Sequence, residues 1–221
     1  MPERFEKIEQ APTGRYATII ADPPWKYLAR GQDGYQKSPQ AHYGCEDLSS
    51  LKDMDVARLG RRNTALVLWA IAPMLDQAFE LMAAWGFRYV TAASWAKASE
   101  TGQKWAFGPG HVLRGCAEFI LIGAIGYPER QSRSVRNFHA AQDPEALIEA
   151  VRWADTDQRD VIDDTVLIAP KREHSRKPDS LYRWVEALYA GPYVELFSRE
   201  IRGPAWDSIG DEAGKFDGGV P

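Results

Sequence analysis

The chain has 221 residues, of which 44% are hydrophobic and 26% charged, and its formal net charge is −4. This size and composition predict a soluble globular protein with a substantial core, and the acidic balance excludes one that coats nucleic acid by bulk electrostatics, so any nucleic-acid contact has to be local. The two cysteines, Cys45 and Cys116, and the four histidines, His42, His111, His139 and His174, lack metal-ligand spacing, which predicts free thiols in a reducing, cytoplasmic compartment and no metal site.

Met1 to Lys7 is charged and predicts no signal peptide, and no run reaches the roughly 18 apolar residues of a membrane span. Residues 1–14 read as a polar lead-in. The apolar, β-branched run from Tyr16 to Ala21 predicts a buried strand. Residues 26–46 are rich in Gly, Gln, Lys and Tyr without periodicity, and a loop of that length directly after a strand predicts a binding lid. Asp47 to Arg58 predicts a short helix with Leu48, Leu51 and Met54 inward, and residues 65–70 a second buried strand. Pro73 opens a helix with apolar residues at 74, 75, 78, 81, 82 and 85 that stops at Gly86. Residues 89–95 predict a third strand, 98–110 a loop, and Phe119 to Ile122 a further strand. Residues 128–164 differ in character, with Arg130, Arg133 and Arg136 preceding a helix that starts near Asp143. Thr165 to Ile168 predicts a strand, Pro178 starts a helix with Leu181, Trp184, Val185 and Leu188 on one face, and Tyr193 to Phe197 predicts the last clear strand before a tail that frays from Gly210. Strands alternating with helices predict an α/β sandwich on a mostly parallel sheet.

In such sheets ligands bind beyond the carboxyl ends of the strands. That rule gathers Asp22 to Trp25, Lys97, Lys171 with Arg172, and Ser198 with Arg199 around one cleft. The segment Asp22-Pro23-Pro24-Trp25 carries the most chemistry. Its prolines fix φ and remove two backbone donors, leaving a stiff loop rich in acceptors beside an aromatic face. Such a loop suits a flat ligand bearing an amino group. The exocyclic amine of adenine is a poor nucleophile because its lone pair is delocalised, and acceptors aimed at both N–H bonds favour the localised geometry needed for attack. The competing reading is a proline-rich turn with a buried Trp.

The other constellations each have two readings. Arg176 and Lys177 either belong to a solvated loop or reach into the cleft to hold a carboxylate or phosphate. Glu195 and Arg199 either pair with neighbours or bind a ribose hydroxyl and a carboxylate, with Phe197 against a base. Gly203 to Trp206 reads as a plain turn, and Asp211 with Glu212 as a ribose-binding acidic pair. Lys97 is a surface lysine or a cleft residue, and Glu118 reads as a structural partner for an arginine. No G-x-G-x-x-G follows a strand and no P-loop is present, which argues against a standard dinucleotide enzyme and a phosphotransferase.

Taken in order, Asp22 to Trp25, Trp69, Trp85 to Phe87, Trp95 to Lys97, Glu118, His174 to Asp179, Glu195 to Arg199, Trp206 and Gly210 to Glu212 resemble the MT-A70-like family of S-adenosylmethionine-dependent adenine-N6 methyltransferases, most closely its short bacterial and bacteriophage members. The resemblance implies a Rossmann-like methyltransferase sandwich over residues 1–221, in which the catalytic strand precedes the cofactor-binding strand. It implies that Asp22, Pro23, Pro24 and Trp25 hold the target amine and ring, that Lys177 binds the methionine carboxylate, that Phe197 and Arg199 line the adenosyl pocket, and that Asp211 and Glu212 contact the ribose; Asp22 and Glu195 are expected to bind the cofactor as well. His42-Tyr43-Gly44 matches the lid region. The expected reaction is direct transfer from S-adenosylmethionine to a flipped adenine, without a covalent enzyme intermediate. DNA is the expected partner ahead of RNA, with Lys26, Tyr43, Lys97, Arg130, Arg133, Arg136, Arg172 and Arg176 on the strand-end face as its contacts and 128–164 as a target-recognition insertion. A monomer or homodimer in a bacterial or phage-infected cell is expected. A catalytically silent nucleic-acid-binding subunit is the rival, and the intact Asp-Pro-Pro-Trp segment speaks against it.

Overall fold

The computed structural model describes residues 2–26, 46–98, 112–113, 115–132, 139–140, 166–170, 177–200 and 202–210. Among the described residues, nine strands form one sheet: β1 (Arg4–Phe5), β2 (Tyr16–Ala21), β3 (Gly60–Ala70), β4 (Arg88–Ala98), β5 (Ala117–Ile125), β6 (His139–Ala140), β7 (Val166–Pro170), β8 (Tyr193–Leu196) and β9 (Trp206–Ile209). The spatial order is β1-β9-β8-β2-β3-β5-β4-β7-β6. All neighbouring pairs are parallel except those of β5, which runs antiparallel to both β3 and β4. The sheet is therefore mostly parallel, as expected, with one reversed strand between β3 and β4.

Three α-helices are described: α1 (Leu48–Lys52), α2 (Leu75–Ala84) and α3 (Asp179–Leu188). Neighbouring residues of β3 point to opposite faces, and both faces are covered. Leu66 and Leu68 join Leu51, Leu81 and Met82 in one core layer under α1 and α2. Val67 and Trp69 join Ile120, Ile122, Leu181 and Val185 in the other layer, under α3. Burial on both faces is why these strands read as continuous apolar runs rather than alternating ones. No helix among the described residues is long and apolar enough to cross a membrane.

Three expectations change. The helix predicted over Asp47 to Arg58 splits into α1 and a 3₁₀ turn at Val56–Leu59. Asp55 accepts a hydrogen bond from the Arg58 N–H (3.3 Å), starting a new turn where the first helix would have continued. The turn at Gly203 to Trp206 leads into β9, whose four residues are all buried. Asp207 hides that strand from a hydropathy reading, yet its carboxylate is satisfied by the Glu3 N–H (2.7 Å), the Tyr16 hydroxyl (2.8 Å) and Arg15 (3.2 Å). The polar lead-in likewise contains β1, which pairs with β9. The helix expected near Asp143 and most of 128–164 lie outside the described residues.

Candidate active site

Chain order and spatial order diverge at β2. It pairs with β3 on one side and with β8 on the other, and β8 passes the sheet on toward β9. A crevice opens beyond the carboxyl ends at such a switch point. Ala21 pairs with Leu196 at the end of the two strands, so Asp22 and Phe197 are the first residues past it on either side.

Asp22 meets Lys177, whose Nζ lies 2.7 Å from its Oδ2 and 3.5 Å from Glu118 Oε2. Lys97 makes a second ion pair with Glu118. The lysine side chains cap an aromatic floor. Lys177 lies 4.9 Å from the Trp69 ring centre and Lys97 4.9 Å from that of Trp95, and the two indoles meet edge to face at 5.7 Å. Lys177 is buried at 7% exposure. Burial raises the pKa of Asp22, and Glu118 adds to the rise while Lys177 and Arg199 oppose it. Burial acts the same way on Glu118, but Lys177 and Lys97 together outweigh it and hold that carboxyl below its usual range. Of the two carboxyls, the one flanked by two lysines is therefore the stronger acid and Asp22 the weaker.

The reversal of β5 explains Glu118. Because that strand is antiparallel, its beginning rather than its end reaches the site, with Glu118 paired to Trp95. Its partners are lysines, not the arginine expected from sequence. The same reversal carries the chain after β5 to the other end of the sheet. Arg130 bridges Tyr189, ahead of the amino end of β8, so it is not on the strand-end face with Asp22, contrary to expectation.

Trp25 also departs from expectation. The Trp25 N–H donates to Pro23 O (2.8 Å) in a tight turn, and this turns the indole inward, where Nε1 donates to Trp69 O (3.3 Å). At 6% exposure it belongs to the core and anchors the loop. Pro24 O accepts from Glu46 N–H (3.0 Å), so both proline carbonyls brace the loop. The side chain of Lys26 is paired with Asp47 (2.8 Å).

Across the crevice, Phe197 has φ 60°, a left-handed conformation uncommon for a bulky residue and typical of strained functional loops. A buried network holds it. Glu195 accepts from the Tyr182 hydroxyl (2.5 Å) and Ser198 Oγ (3.1 Å) and faces Arg202 Nε (3.4 Å). Arg202 reaches Glu200 (2.5 Å) and stacks 4.1 Å from the Tyr182 ring centre. Glu195 therefore has internal partners in place of the exposed surroundings a ribose ligand would meet. At the end of β9, a Cβ on Gly210 would lie 2.8 Å from Ser198 O and 2.9 Å from Ser198 N. Only glycine lets the two strand ends approach so closely.

Asp22, Lys177, Lys97, Glu118 and Arg199 are thus brought together, and Pro23, Pro24 and Trp25 support them. Tyr43, Arg133, Arg136, Arg172, Arg176, Asp211 and Glu212 lie outside the described residues. Tyr182 and Arg202 were missed. Tyr182 sits on the apolar face of α3 and reads there as a core residue, and nothing local to Arg202 marks its partner seven residues back.

The MT-A70 family profile matches residues 16–212. The chain is 27% identical to a putative N(6)-adenosine-methyltransferase MT-A70-like protein of Medicago truncatula over 202 residues, 90% of this chain and 26% of the relative. It is 27% identical to the Type II methyltransferase M.MunI of Mycoplasma sp over 226 residues, 94% of this chain and 82% of the relative. It is 24% identical to the N(6)-adenosine-methyltransferase catalytic subunit METTL3 of Homo sapiens, covering 90% of this chain and 28% of that protein. The chain thus spans about a quarter of the length of the plant and animal relatives and most of the bacterial one. MT-A70 proteins are methyltransferases of Rossmann-like fold that use S-adenosylmethionine as methyl donor. A profile match over most of the chain, on a sheet whose crevice opens beside Asp22, makes this protein a member of the MT-A70 family.

Proposed function

We propose that the chain transfers a methyl group to the N6 amine of adenine, and that its substrate is DNA. The observation that carries the reading is Asp22, held past the end of β2 at the switch point and ion-paired with Lys177, which also faces Glu118. The residues around the crevice fit the family's methyl donor. Gly210 permits the close approach of the two strand ends, and Lys177 and Arg199 bring positive charge toward a carboxylate.

S-adenosylmethionine, when bound there, supplies an electrophilic methyl group. The chain's own part is to hold the amine. The Asp22 carboxylate and carbonyl accept its N–H bonds, which localises the nitrogen lone pair. A carboxylate with a raised pKa is also suited to take the proton that the amine releases. Trp69 and Trp95 exclude water beneath it, and the Glu195–Arg202–Tyr182 network keeps the opposite wall in place. Lys97 and Lys26 at this end are the described candidates for local contact with the strand.

DNA is favoured because the bacterial relative that aligns over 82% of its own length is a Type II methyltransferase. The test compares tritiated-methyl transfer to DNA and RNA of matched sequence. DNA is expected to be the better acceptor, and preference for RNA would overturn that assignment. Asp22→Ala should lower kcat by roughly 10²-fold or more, the loss expected for a lost transition-state interaction. A folded variant with parental turnover would refute the role of Asp22.

A further inference from the structure

A second recess lies at the opposite end of the sheet. It has a volume of about 270 Å³, with Ala17, Thr18 and Tyr189 among the residues at its floor and Arg61, Arg62, Asn63 and Glu129 around it. The fold builds it deliberately. Between Tyr16 and Thr18 of β2, its partner β3 runs from Gly60 to Ala65, so Arg61 to Thr64 bulge out of the ladder. Bulges of this kind re-aim side chains. Buried Thr64 pins the bulge by donating to Tyr16 O (3.1 Å) or Arg61 O (2.9 Å). Gly126, with φ 61°, turns the chain after β5 against it, where a Cβ would lie 2.2 Å from Asn63 Oδ1 and 2.5 Å from Arg62 O. Asn63 Oδ1 then accepts from the Tyr127 N–H (3.0 Å).

The donors and acceptors do not balance. Asn63 has spent its carbonyl oxygen and keeps an amide NH₂. Arg61 uses only Nε, donating to Arg15 O (2.9 Å). Neither Arg61 nor Arg62 makes an ion pair among the described residues, and both are exposed. Arg88, over the Tyr127 ring at 5.4 Å, and Arg130, bridged to Tyr189, stand beside them. Among the described residues that line the recess, Arg61 and Arg62 face one carboxylate, Glu129, and Glu3 and Asp207 nearby are already held by Arg15. A donor-rich, cationic recess in a chain of net charge −4 is selective for an anion with several acceptor oxygens.

We infer that this recess binds a phosphodiester group of the nucleic-acid strand whose base is methylated at the far end of β2, an inference that rests on the proposed function. Thr18 and Asp22 are four residues apart, about 13 Å along an extended strand. That distance is about four nucleotide steps of axial rise. A long substrate reaches both places and a very short one does not, so the contact makes binding depend on length.

The experiment measures anisotropy of labelled oligonucleotides of about two and about 30 nucleotides across a salt series, with cofactor binding by calorimetry. Arg61→Ala combined with Arg62→Ala should weaken the long substrate about tenfold and flatten its salt slope by up to about two, leaving methyl transfer to the short one and cofactor affinity unchanged. Arg61→Lys with Arg62→Lys should restore most of the slope, since lysine keeps the charge. Parental affinity and slope for the long substrate in the alanine variant would overturn the inference. Equal losses on both lengths would overturn it too, because the arginines would then act through the fold or the catalytic end. If adenosine monophosphate loses affinity and the long strand does not, the recess takes a free nucleotide and the strand contact is refuted. Failure of the unsubstituted chain to methylate any nucleic acid would count against the catalytic reading, while the long-strand salt slope would still decide the recess.

Discussion

Lys177→Met tests the electrostatic design of the site. Lysine and methionine have similar reach, so the change removes a charge with little cavity. In the native chain the Lys177 Nζ lies between Asp22 Oδ2 at 2.7 Å and Glu118 Oε2 at 3.5 Å, with side-chain exposures of 8%, 20% and 14% for the three. Without it two poorly solvated carboxylates face each other and Glu118 keeps Lys97. Breaking a buried pair from one side costs about 3–5 kcal/mol. The chain can relieve part of that by protonating Asp22, whose pKa is already raised by burial. Loss of Lys177 removes the main influence that holds that pKa down, so it rises further.

The direction with pH follows from that rise. A carboxyl whose folded pKa is raised favours the folded state at low pH, and that contribution is lost as pH rises through the folded value. The stability deficit of Lys177→Met should therefore be small in acid and grow toward neutral pH. Glu118 works the other way: its lowered pKa stabilises the fold at neutral pH, and this is lost as pH falls through the folded value, below its usual 4.5. Urea unfolding of both proteins at several pH values would measure the deficit, and the acid limb of methyl transfer should move to higher pH in the variant. A deficit that is constant with pH, together with an unmoved acid limb, would refute the coupling of Lys177 to Asp22.

Two further perturbations address the opposite wall of the crevice. Gly210→Ala pushes a Cβ against the Ser198 backbone, with contacts of 2.8 and 2.9 Å that something must relieve; cofactor affinity should fall about tenfold, or about 1.4 kcal/mol, with the fold retained, and unchanged calorimetric affinity would show that the loop position is irrelevant. Tyr182→Phe removes the 2.5 Å donor from buried Glu195 and should cost about 1–3 kcal/mol of stability while weakening cofactor binding; parental values for both would mean that Arg202 and Ser198 alone hold the loop.

Much of the architecture was legible in residue order. Apolar runs such as Tyr16 to Ala21 and Ala65 to Ala70 become strands because both of their faces are covered, and that demands unbroken hydrophobicity whatever the neighbours are. Asp22 was legible for the same reason, as a charge that ends a buried run beside two prolines must sit where the sheet opens. Strand direction and pairing were not legible, because hydropathy has no sign along the chain. The reversal of β5 alone brings Glu118 into the site and sends Arg130 away from it. The buried strand β9 and the inward turn of Trp25 escaped sequence reading for a related reason. Asp207 is tolerated in the core only because Glu3, Tyr16 and Arg15 converge on it, and Trp25 is buried only because the Trp69 carbonyl waits for its indole N–H. Such partners are distant in sequence and meet only when the chain folds, so their energies belong to the tertiary structure.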